Sequence, residues 1–95
     1  MKRFIIRVEL HNARTAAQYE RLHALLARHG IGNEIVADNG QRYRLPPAEY
    51  YCQGDTSHAY LLGIAKQCAA QVDNSYAVVV TESTIITWEG LTQVA

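Results

Sequence analysis

Apolar and polar residues alternate along the first segment of the chain. Phe4, Ile6, Val8 and Leu10 point one way, while Ile5, Arg7, Glu9 and His11 point the other, so Arg3 to His11 reads as a half-buried strand. The period then changes from two to that of a helix. Thr15 followed by Gln18 fits a capping box, and Tyr19, Leu22, Leu25, Leu26 and His29 recur on one face. Arg28 and His29 suit the negative end of the helix dipole, and Gly30 is a natural stop.

Ile35 to Ala37 predicts a short second strand. Asp38-Asn39-Gly40-Gln41 predicts a two-residue type I′ hairpin, because Asn and Gly tolerate positive φ, and Gln41 to Leu45 pairs back. Pro46 and Pro47 cannot donate to a ladder and force a kink, after which Ala48 to Gln53 runs extended. Gly54-Asp55-Thr56 is a break and cap. Leu61, Ile64, Ala65, Cys68 and Val72 then form the stripe of a second helix. Tyr76 to Thr81 is almost continuously apolar, which predicts a central strand. Ile85 to Trp88 reads as a last strand, with a tail from Gly90.

The order is β-α-β-β-α-β plus a C-terminal strand. Each helix has a single apolar stripe, so both are expected on one face of an antiparallel sheet. This is an α+β, ferredoxin-like sandwich in one domain, residues 1–95, with the strands starting at Arg3 and Tyr76 adjacent in the middle.

Composition narrows the classes. Nine basic and nine acidic side chains cancel, so no global positive field draws in nucleic acid; RNA would need a local basic stripe. No apolar run is long enough to span a bilayer, and Phe4 to Ile6 is too short for a signal-peptide core, which predicts a cytoplasmic protein without a membrane partner. Cys52 and Cys68 match no zinc spacing and are expected to be buried thiols. Dinucleotide, P-loop, zinc-hydrolase and nucleophile-elbow motifs are absent, so no cofactor and no metal site is expected.

Three arginines stand out. Arg14, Arg21 and Arg28 are seven apart, and two helical turns bring a side chain back to within about 20° of its start. Such a column either tracks a phosphate backbone or is a solvated flank. His23 projects from the other flank of the helix and His11 ends the first strand; each is a candidate general base or an ordinary polar residue. The aromatic residues Tyr43, Tyr50, Tyr51, Tyr76 and Trp88 either stack bases on an open sheet face or pack a core or subunit interface, and no RNP signature accompanies them.

Ile35-Val36-Ala37-Asp38, then Gly40 and Leu45, preceded by the Arg21-Leu22 helix, resembles the GhoS antitoxin family of type V toxin–antitoxin systems. The resemblance follows element order over nearly the whole chain. It implies a ferredoxin-like fold akin to the small CRISPR-associated adaptation protein, and an endoribonuclease that cuts the mRNA of a membrane toxin. It also implies that a basic residue on the first helix serves RNA cleavage. Arg21 matches one of the family's arginines there, and His23 stands where the next would be. The acidic residue that closes the first strand in the CRISPR-associated relatives has no counterpart, since Leu10 and His11 stand there. The expectation is therefore a metal-independent endoribonuclease, with His23, Arg21 and His11 as catalytic candidates and Arg14, Arg21 and Arg28 as RNA contacts. The relatives also imply a homodimer, here through the apolar strand Ile85, Ile86 and Trp88. A non-catalytic interaction module, such as a phage or mobile-element regulator, is the alternative.

Overall fold

The computed structural model describes residues 2–94. Its elements are β1 (Lys2–Leu10), α1 (Ala16–Ala27), β2 (Glu34–Val36), β3 (Arg42–Arg44), β4 (Glu49–Gly54), α2 (His58–Ala70), β5 (Tyr76–Ser83) and β6 (Gln93–Val94). They form two antiparallel three-stranded sheets, ordered β4-β1-β5 and β2-β3-β6. One isolated bridge, between Gly32 and Tyr51, connects the first sheet to the chain leading into the second.

The alternation in β1 is realised in full. Phe4, Ile6, Val8 and Leu10 are buried and pack with Leu22 and Leu26 of α1 and Leu61, Ala65, Cys68 and Ala69 of α2. Both helices therefore cover the same face of the first sheet. Each fully buried leucine stabilises the fold by about 1.5–3 kcal/mol through removal from water. Truncating Leu26 to Ala would cost about 2–5 kcal/mol, because a cavity adds to the lost transfer energy. Gln18 helps to start α1 by accepting the backbone N–H groups of Arg14 and Thr15. Ser57, rather than Gly54-Asp55-Thr56, caps α2, and its hydroxyl accepts the Tyr60 N–H at 3.1 Å.

The opposite face of β1 and β4 carries a second, smaller core. Ile35, Leu45 and Tyr51 are buried there, with Ile5, Tyr43, Ile86, Trp88 and Leu91 packed around them. This cluster draws the β2–β3 hairpin out of the first sheet, which is why one expected sheet becomes two. The hairpin itself differs from the expected type I′ form. Ala37 accepts the Gly40 N–H at 2.9 Å and donates to Gln41 at 2.8 Å, and of the two central candidates only Gly40 has a positive φ, 86°. That is a type I turn with a glycine bulge, leaving Asn39 free to accept the Gln41 N–H.

Three further expectations change. The apolar run in β5 does not make it central: β1 lies between β4 and β5, and β5 is an edge. Tyr76, Val78 and Val80 pack on the helical core, while Ala77, Val79 and Thr81 stay exposed. Residues 85–88 are not a strand, because Ile86 and Trp88 are held by the second core, and pairing resumes only at β6 on β3. His29 lies beyond α1 and is exposed, so it is not part of the buried stripe. Among the described residues, no helix is long and apolar enough to cross a membrane.

Candidate functional site

Ala16, Tyr19, Glu20 and His23 recur at three- and four-residue spacing, which places them on one flank of α1. That flank lines a cleft whose volume is about 940 Å³. The segment from Arg44 to Glu49, Asn33, and Gly90 to Thr92 line the rest of it. The Pro-Pro pair shapes the first of these. Glu49 donates its N–H to Pro46 at 3.1 Å, closing a four-residue turn with Pro47 and Ala48 at its centre. Ala48 has φ 68°, the left-handed value that the third position of a type II turn requires and that glycine ordinarily supplies.

His23 is half-buried, and its ring meets Tyr50 edge-on, with centroids 5.4 Å apart. Burial pushes its pKa below the ordinary 6.5; Glu20 works against that shift and Arg44 adds to it. The imidazole is therefore neutral at pH 7 and can accept a proton. The Arg44 guanidinium lines the same cleft, so a base and a cation share it. Among the described residues, the side chains of Glu20, Asn33, Arg44 and Glu49 make no hydrogen bond or ion pair with another side chain or backbone group. Several uncommitted polar groups converging on an apolar-walled cleft are what a ligand site needs.

Of the catalytic and RNA-binding candidates named from the sequence, only His23 lines this cleft. Arg21 is exposed on α1 but does not line it. Arg14 precedes α1 and Arg28 caps its end, so the seven-residue spacing is not a continuous helical column, although all three arginines are exposed. His11 sits elsewhere, in a clasp between β1 and β5. Its Nδ1 lies 2.8 Å from Ser75 Oγ and its Nε2 3.2 Å from Glu9. Alongside, Asp73 accepts the backbone N–H of Asn12 at 2.7 Å and of Ser75 at 3.0 Å, and also the Asn12 amide. Those bonds, the one from Ser75 foremost, hold the Asp73 carboxyl below the usual carboxylate range. The clasp ties strand ends together and lines none of the larger clefts.

The aromatic residues are largely structural. Tyr50 lies in the first core, and Tyr51, Tyr43 and Trp88 belong to the second, with Tyr43 and Trp88 tilted at 5.7 Å. Both cysteines are buried free thiols, each pushed up in pKa by burial. Among the described residues, no three His, Cys, Asp or Glu side chains are grouped to hold a metal. Glu20, Asn33, Arg44 and Glu49 are the site residues that sequence reading missed. The helical spacing of Glu20 and His23 was the one available signal. No protein-family model matches the chain, and no curated protein matches its sequence.

Proposed function

We propose that this protein is a metal-independent endoribonuclease of the GhoS-like antitoxin kind, acting on the mRNA of a toxin. The observation that carries the reading is that His23 and Arg44 line one cleft, near enough for the guanidinium to act on the imidazole. The reaction that suits this pair is transesterification within RNA. The ribose 2′-oxygen bonds to phosphorus as the bond from phosphorus to the 5′-oxygen breaks. His23 takes the 2′-proton, and the departing 5′-oxygen takes one from water. The products are a 2′,3′-cyclic phosphate and a 5′-hydroxyl. Arg44 neutralises the charge that builds on the phosphorane oxygens. In this role Arg44 replaces Arg21, which lies outside the cleft; exposed Arg14, Arg21 and Arg28 serve as contacts to flanking phosphates.

The ferredoxin-like reading of the fold is part of the same proposal. Its support is the order β5-β1-β4 with both helices on one face, and the Gly32–Tyr51 bridge at the position of the fourth strand. The test is incubation of the protein with labelled toxin-type mRNA in the presence of a chelator. Cleavage to cyclic-phosphate ends, lost in His23→Ala with RNA binding retained, is the expected result. Intact RNA and no complex at moderate salt would refute it.

One observation favours the alternative of a non-catalytic interaction module: β5 is an open, uncharged edge from Tyr76 to Thr81, with Val79 58 % exposed. Natural edges are usually blunted by lysine, proline or a bulge. A second copy of the chain suits it, because antiparallel pairing centred on Val79 opposes no like charges. The homodimer expected through residues 85–88 is therefore proposed through β5 instead.

A further inference from the structure

The cleft around His23 has two ends of different character. At one end are Glu20, His23 and Arg44, close enough for both charges to act on the imidazole. At the other are Asn33, the Pro46–Glu49 turn and Leu91. Two backbone bonds hold this second end in shape: Leu45 donates to the Asn33 carbonyl at 2.8 Å, and Glu49 donates to Pro46. They bring the backbone of Asn33 beside one end of a short turn whose other end is Glu49, and both residues line the cleft. Both side chains are half-buried and neither is used by the protein. Arg7, in register opposite Glu49 on β1, makes no ion pair with it. Exposed Pro46 and Pro47 offer apolar ring surfaces in the same turn. The left-handed Ala48 between the two costs about 1–2 kcal/mol, and strain of this kind persists where surrounding structure fixes a turn for a purpose.

The charges of the cleft limit what this end can bind. With His23 neutral, Glu20 and Glu49 outnumber Arg44, so a second phosphate has no counter-charge there. A half-buried carboxylate calls instead for a ligand that brings donors. Among the four bases, guanine alone presents two adjacent donors, N1–H and N2–H₂, in the spacing a carboxylate accepts, beside an O6 acceptor that a carboxamide can serve. Adenine and cytosine each present one amino group beside an acceptor, which a carboxylate repels.

We propose that the Pro46–Glu49 turn is a base-recognition subsite that selects guanine on the 5′ side of the cut. Glu49 accepts from N1–H and N2–H₂, Asn33 donates to O6, and the proline rings pack on the base. This rests on the nuclease reading above, which assigns the other end of the cleft to the phosphate. Good bidentate base contacts discriminate by about tenfold to a hundredfold.

The test uses the whole protein with the dinucleoside phosphates GpA, IpA, ApA, CpA and UpA, and measures binding of the four nucleoside 3′-monophosphates by NMR titration. The expected result is that GpA is cleaved at least tenfold faster than ApA, CpA or UpA, with IpA between because inosine lacks N2–H₂. In Glu49→Gln the ratio of GpA to ApA should fall towards one, while circular dichroism keeps its native form. Equal cleavage of all substrates would overturn the subsite and leave the nuclease reading standing. A guanine preference unchanged in Glu49→Gln would also overturn it. If no substrate is cleaved but guanosine monophosphate alone binds, the nuclease reading falls and the subsite survives. Binding of none of the four removes both.

Discussion

His23 and Tyr50 touch edge to face, yet burial leaves them in opposite situations. His23 loses solvation but keeps access to the cleft, so its folded pKa lies below the ordinary 6.5. The unfolded chain therefore binds the proton more tightly, and stability rises with pH through this window. The contribution is intact above about pH 6.5 and is lost as pH falls from there through the folded value. Replacing His23 with Gln should flatten that part of the acid limb in urea unfolding followed against pH. In a cleavage assay, His23→Ala should lower the rate by about 10²–10⁴-fold. Wild-type activity should persist somewhat below pH 6.5 before it falls, because the base stays neutral there. Tyr50 is 1 % exposed, and its hydroxyl has no hydrogen-bond partner among the described residues. Burial and nearby Tyr19 push that hydroxyl's pKa well up. An unsatisfied buried hydroxyl costs about 1–3 kcal/mol, so Tyr50→Phe should leave stability unchanged or raise it by about 1 kcal/mol in equilibrium denaturation.

The turn between β3 and β4 is where local preference and tertiary demand part company. Type II geometry places Ala48 at φ 68°, which disfavours any side chain by about 1–2 kcal/mol. Ala48→Gly should relieve that strain and, after the greater flexibility of unfolded glycine is offset, raise the unfolding free energy by about 0.5–1 kcal/mol. A shift to lower denaturant midpoint would show that the alanine methyl makes a contact worth more than the strain. This turn also marks the limit of what the sequence disclosed. Both helices and β1 were legible, because their apolar positions follow a single period and meet a single core. Pro46-Pro47 announced a break but not its direction. The chain folds back there because Leu45 and Ile35 are buried with Tyr51 on the far face, a long-range contact that no local pattern encodes. For the same reason His23 was recognisable as a candidate, whereas Arg44, Glu49 and Asn33, which reach the cleft only through that fold-back, were not.

At the scale of the molecule the two faces of the first sheet are treated unequally. One is sealed by both helices. The other is covered over Ile5 and Tyr51 by the second sheet and the segment carrying Ile86 and Trp88, but is bare around Val79. Through the open edge of β5 the proposed pairing gives a dimer with a continuous six-stranded sheet. Sedimentation should show it at micromolar concentration, and Val79→Lys, which sets two like charges face to face across the two-fold, should return monomers. A wild-type protein that stays monomeric at high micromolar concentration would remove this reading.

The Gly32–Tyr51 bridge consists of two reciprocal backbone bonds, 3.1 and 2.7 Å long. His23 rides on the helical layer, while Arg44 belongs to the second sheet, so the pair proposed to do chemistry sits on separate bodies with this clip between them. Breathing at the clip would change the width of the cleft directly. The exchange of the Gly32 and Tyr51 amides with deuterium is then a clock for how often base and cation come apart. If it runs ahead of exchange in the middle of β1, the two bodies separate without global unfolding. A ligand spanning the cleft should slow those two amides and leave the β1 amides unchanged.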